Sequence, residues 1–201
     1  MGRATHFTLI ARMPALAHTR IGQIMAELQR HHPRHHYYPA DAMHVTITNL
    51  DQVTEQEPDR HELFNRIRGT VENSHSFALT GSGLSVSPSS VFLQLYPQDK
   101  GLADLRRRLA VEVGDGDRRR RRGDSSRWDR LMRHYLFERI AFATLIRFSG
   151  PVTPAFLNEI GRHSETDFGT FFIEAFEIVR TDKFLSNAGT EIITRIAASP
   201  K

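Results

Sequence analysis

The chain contains no cysteine among its 201 residues, so disulfides, thiolate metal ligands and a thiol nucleophile are excluded. Apolar runs are short, and none approaches the ~20 residues that a membrane-spanning helix needs. The opening Met1-Gly2-Arg3-Ala4-Thr5-His6 leads straight into an alternating segment and does not read as a signal peptide. It also lacks the Ser or Thr that a myristoylation signal wants at its sixth position. A cytoplasmic location without a membrane partner is the resulting expectation. Low complexity is confined to residues 114–127, all Gly, Asp, Arg and Ser. That stretch reads as a flexible Arg-rich loop, not a linker, because neither side holds enough elements to stand alone.

What is present is ordinary for a globular chain: 39% hydrophobic and 25% charged residues. The length suits a single α+β domain over 1–201, or two small lobes sharing a cleft. The net charge of +4 and pI of 9.8 favour an anionic partner. Much of the excess lies in the arginine run 118–122 and in Arg106, Arg107 and Arg108. A solvated loop is the bland reading of that run; capture of RNA or phosphate is the sharper one, since arginine meets phosphate oxygens bidentately.

Periodicity predicts a strand over 7–12 and a helix over 16–30, with Ile21, Ile24, Met25 and Leu28 at helical spacing and Pro33 as its stop. Residues 37–50 read as an extended stretch leading into a strand, and 57–72 as a helix. Residues 77–84 and 91–96 read as a hairpin in which Gly81-Ser82-Gly83 makes a turn or bulge. Helices follow over 101–113 and 128–140, and a strand over 141–148. Thr153-Pro154 opens a short helix to 163. A strand is expected over 171–180, and 191–198 is a helix or a strand that period does not separate. A hairpin among alternating strands and helices argues for antiparallel sheet with helices outside.

In a strand, residues two apart share a face, so His44, Thr46 and Thr48 are expected in one polar row, with Met43, Val45 and Ile47 opposite. The bland alternative is a solvent-facing edge. Met43-His44-Val45-Thr46-Ile47 has an echo in Ala141-Phe142-Ala143-Thr144-Leu145. Both run apolar, X, apolar, Thr, apolar, one in each half of the chain. His31-His32-Pro33-Arg34-His35-His36 looks like a metal cluster, but Pro33 breaks the helical spacing and no carboxylate is near in sequence. A polar helix end is the reading, and no metal is expected. Tyr37, Tyr38 and Trp128 are either base-stacking rings or buried aromatics.

The run Tyr37-Tyr38-Pro39-Ala40-Asp41-Ala42-Met43-His44-Val45-Thr46-Ile47 resembles the first His-x-Thr motif of the two-histidine phosphoesterases. The similarity is to the bacterial 2′-5′ RNA ligase and cyclic phosphodiesterase branch. Ala143-Thr144-Leu145-Ile146-Arg147 resembles the tail of the second motif. The resemblance implies two pseudo-symmetric lobes of antiparallel sheet with outer helices around a central cleft. It implies histidines as general base and acid, threonines as holders of phosphate oxygens, and no cofactor. The expected partner is a 2′,3′-cyclic or 2′-5′ phosphodiester of RNA or nucleotides. On this reading His44, Thr46 and Thr144 are catalytic, and Arg147, Phe142 and Tyr38 lie on the substrate side. Phe142 stands where the second histidine would be, and one acid/base group typically contributes about 10²–10⁴-fold, so activity is expected to be impaired. His134 is a weak substitute, and strict alternation puts Arg147 opposite Thr144 unless a bulge intervenes. The rival reading is a catalytically inactive nucleotide- or RNA-binding module, or a scaffold, on the same fold.

Overall fold

A computed structural model describes residues 6–50, 60–113, 140–182 and 189–199, without the side chains of residues 16–18. The loop expected over 114–127, with its arginine run, lies outside the described residues, as do Trp128 and His134. The described strands are β1 (His6–Arg12), β2 (His36–Tyr37), β3 (His44–Asn49), β4 (Phe77–Val86), β5 (Ser90–Pro97), β6 (Ala141–Arg147), β7 (Asp167–Ile173), β8 (Ala175–Thr181) and β9 (Glu191–Ala197). The helices are α1 (Ala15–His31), α2 (Arg60–Glu72), α3 (Gly101–Glu112) and α4 (Pro154–Gly161).

Local chemistry accounts for most of these boundaries. Pro14 enters α1 in an extended conformation, and Ile21, Met25 and Leu28 supply its buried stripe. At α4 the Thr153 hydroxyl accepts the Phe156 amide, with Pro154 fixing the first turn. Gly83 has φ +77°, and a Cβ there would lie 2.1 Å from the Ser164 carbonyl oxygen, so the bulge in β4 needs glycine.

All strands join one nine-stranded sheet in the order β7-β4-β5-β6-β3-β1-β8-β9, with β2 alongside β6. Every described strand pair is antiparallel. The helices bury their apolar stripes, such as Ile67 of α2, Leu105 of α3 and Phe156 of α4, in one cluster with Leu9, Val45, Leu93 and Ala143 of the sheet. They cover one face and leave the catalytic candidates on the other. The architecture is α+β, as the sequence implied.

One expectation changes and one open reading is resolved. The strand expected over 171–180 is two strands, broken at Glu174, and β7 and β8 belong to opposite halves of the sheet. Apolar residues continue across the break and hide it, although the alternation shifts by one position there, from Phe171 and Ile173 to Phe176 and Ile178. Residues 191–197 are a strand: only Ile196 is deeply buried there, at 4% exposure, as suits the last strand of a sheet.

The sheet divides into two four-stranded halves, β3-β1-β8-β9 and β6-β5-β4-β7, and β3 meets β6 through the pair Val45↔Ala143. An approximate two-fold axis through that pair carries β3 onto β6, β1 onto β5 and β8 onto β4. The register tests this directly. Between β1 and β3 the ladder runs from Ile10↔Thr46 to Leu9↔Thr48, leaving Ile47 as an extra residue. Between β5 and β6 it runs from Phe92↔Thr144 to Val91↔Ile146, leaving Leu145 extra. Each motif strand therefore bulges one residue after its threonine, and the echo in the sequence is a symmetry of the fold.

Candidate phosphoester site

Paired residues on antiparallel strands share a face. Because Val45 and Ala143 both point into the core, His44, Thr46, Phe142 and Thr144 all emerge on the face away from the helices. The bulge at Leu145 shifts the phase of β6. Leu145 and Ile146 are both buried, and Arg147 pairs with Ser90 on the same face as Thr144. The bulge that Arg147 required is present. The equivalent bulge at Ile47 takes Thr48 out of the row, pairing it with Leu9 on the core side, so the predicted row keeps His44 and Thr46 and loses Thr48.

His44 is 7% exposed. Its Nδ1–H donates to the Ala42 carbonyl at 2.8 Å, and since a carbonyl only accepts, the neutral ring keeps its lone pair on Nε2. Burial holds the imidazole below its ordinary pKa; the Ala42 bond opposes this, the guanidinium groups of Arg12 and Arg147 reinforce it, and Glu177 opposes it. His44 is thus a neutral, base-competent imidazole near pH 7 with two cations beside it.

Sequence reasoning missed Arg12 and Glu177. Arg12 is the cross-strand partner of His44. Its Nε donates to Glu177 Oε2 at 2.8 Å, and its Nη1 reaches the Asp41 carbonyl at 3.4 Å. Glu177 is 6% exposed and takes a second bond from Arg195 Nε at 3.1 Å, so the buried carboxylate is paired on both oxygens. These residues are distant in sequence, and only sheet register could have joined them.

The motif strands are also held from the core side. Arg106 of α3 is 6% exposed, and its guanidinium donates to the carbonyls of Ile47 (3.1 Å), Thr46 (2.9 Å) and Ile140 (3.0 Å). Burial pushes its pKa down to about 10, leaving it charged at pH 7. One side chain thereby fixes the bulge of β3 and the entry to β6.

Tyr38, expected on the substrate side, is 3% exposed. Its amide donates to the Leu145 carbonyl, and its ring stands edge-on to His44 with centroids 6.5 Å apart. It supports His44 and does not present a face to solvent. Phe142, by contrast, is 50% exposed, with the Phe92 ring 5.5 Å away. His36, taken as part of a polar helix end, instead lies on β2 as the cross-strand partner of Arg147. His31 and His32 both meet Glu159 of α4, at 3.1 and 3.0 Å. Among the described residues no three His, Cys, Asp or Glu side chains gather to hold a metal ion, and no helix is long and apolar enough to cross a membrane.

No protein-family model matches the sequence, and no curated protein matches it. Solved structures do. TT0787 of Thermus thermophilus is 18% identical with a TM-score of 0.64, the alignment covering 96% of this chain and 97% of that one. E. coli LigT complexed with NADP+ is 15% identical with a TM-score of 0.57, over 96% and 98% of the two chains. A protein described as a phosphoesterase is 16% identical with a TM-score of 0.58, over 97% and 98%. LigT is also matched in complexes with phosphate, ATP and 3′-AMP. Near-complete coverage in both directions at such low identity is agreement of architecture, and the chain has the fold of these structures, a LigT-like fold.

Proposed function

We propose that the face around His44 binds the phosphoester of a nucleotide or RNA end, and retains one half of a two-histidine acid–base pair. The observation that carries this is the setting of His44: a neutral imidazole under the charge of Arg12 and Arg147, with Thr46 and Thr144 on the same face. The arginines would neutralise phosphate oxygens and the threonine hydroxyls would donate to them. His44 Nε2 is suited to accept a proton from an attacking water. At the position related by the two-fold axis, Phe142 can neither give nor take a proton. Hydrolysis of a 2′,3′-cyclic phosphodiester is therefore slow and binding is retained. The LigT complexes with nucleotides and phosphate support the choice of ligand class.

The test has two arms. Phosphate and adenosine monophosphate should raise the thermal midpoint of the wild type, and His44→Ala or Arg12→Ala should reduce that rise. Turnover of 2′,3′-cyclic AMP should fall further in His44→Ala. Absence of any phosphate- or nucleotide-induced shift in the wild type would reject the reading and leave the fold as a scaffold.

A further inference from the structure

The two-fold axis relates more than His44 and Phe142. It carries Arg12, the cross-strand partner of His44, onto Gln94, the partner of Phe142. It carries Ile10 onto Phe92, partners of the two motif threonines, and Glu177, which pairs with Ile10, onto Ser85, which pairs with Phe92. Even the supporting bond is repeated. Arg12 donates to Glu177 in the first half, and the Gln94 amide donates to the Ser85 hydroxyl in the second. The same construction is thus built twice, once as His–Arg–Glu and once as Phe–Gln–Ser with a second phenyl ring added. Three charged or titratable groups of the first half correspond to neutral ones in the second.

We propose that Phe142 and Phe92 form a stacking platform for the heterocyclic base of a nucleotide, with Gln94 at its edge as a hydrogen-bonding partner. This rests on the reading of the His44 end as the phosphate site. Phe142 is 50% exposed, and Phe92 stands beside it with ring centroids 5.5 Å apart and planes tilted by 57°, so half of the Phe142 side chain is open to a stacking ligand. The Gln94 amide is held by Ser85 on one side and by the Tyr96 hydroxyl on the other. Among the described residues one N–H and one acceptor lone pair remain on it, the complement of a donor–acceptor pair on a base edge. Thr144 is two residues from Phe142 on the same face, about 6.6 Å along the strand, so an anionic group and a ring of one ligand fit side by side. The ligand that matches a cationic end and a neutral aromatic end is a nucleotide, with its phosphate toward Arg12 and Arg147. Purines should bind better than pyrimidines because stacking grows with ring area.

Calorimetric titration of the full chain with adenosine monophosphate, ribose 5-phosphate and inorganic phosphate tests this. The nucleotide should bind at least about tenfold tighter than ribose 5-phosphate. Phe142→Ala should remove most of that advantage while leaving phosphate affinity unchanged, and Phe142→Tyr should keep it. Phe142 is half-exposed, so its truncation removes little packing, and circular dichroism of the Tyr and Ala variants checks that both fold. Equal affinity for nucleotide and ribose 5-phosphate in the wild type, or a Phe142→Ala variant with nucleotide affinity intact, would overturn the platform and leave the phosphate site standing. Failure of all three ligands to bind would overturn the phosphate site itself, and the platform with it.

Discussion

At position 142 a histidine would meet Gln94 and Ser85, where His44 meets Arg12 and Glu177. An imidazole acts as an acid or base through its orientation and its electrostatic surroundings as well as its intrinsic pKa. We therefore expect Phe142→His alone to give little more 2′,3′-cyclic nucleotide hydrolysis than the Phe142→Ala control. Adding Gln94→Arg and Ser85→Glu rebuilds the first wall on the second, and should recover part of the 10²–10⁴-fold that a positioned acid/base contributes (about one order of magnitude is a reasonable gain). Steady-state rates of the single and triple variants decide it. If the single variant already matches the triple, the neutral Gln–Ser pair is not what separates the walls. The sequence made His44, Thr46, Phe142 and Thr144 legible because a short motif repeats. Arg12 and Glu177 were hidden because their contact spans 165 positions and obeys no local pattern.

The strands and helices that alternate or repeat cleanly were readable from period alone, among them β1, α1 and α3, and α4 was readable from its Thr153-Pro154 start. The break between β7 and β8 was not, because apolar residues continue across it at Phe172, Ile173, Ala175 and Phe176, and its one mark is a shift of alternation by one position, from Phe171 and Ile173 to Phe176 and Ile178. Bulges were equally invisible: each exists only relative to a partner strand, yet the bulge at Leu145 is what turns Arg147 toward Thr144. The carbonyls at the first bulge depend on Arg106. Replacing it with Met preserves the apolar stem and removes the donors, leaving three backbone acceptors without that guanidinium. At about 1–3 kcal/mol for each buried group left unsatisfied, a loss of about 3 kcal/mol or more is expected in urea unfolding. A loss below about 1 kcal/mol would mean that water or a shifted backbone replaces the guanidinium.

At the scale of the molecule, one half of the sheet is contiguous in sequence and the other is not. β4, β5, β6 and β7 run from Phe77 to Ile173, whereas β1 and β3 must be joined by β8 and β9 from beyond that stretch. Contacts between distant segments cost more loop entropy and tend to form late. The β4–β5 hairpin of the aromatic wall can therefore form from local pairing, and the charged wall must wait for β1 and β8 to meet. In refolding followed by pulsed hydrogen exchange, amides of β4 and β5 should gain protection before those of β1 and β8, and simultaneous protection would refute this order. The Arg12–Glu177 pair then reports completion of the whole chain. On the proposed reading, a molecule arrested before that step would carry the platform for the base beside an unmade seat for the phosphate, and the capacity to hold an anion would be the last property acquired in folding.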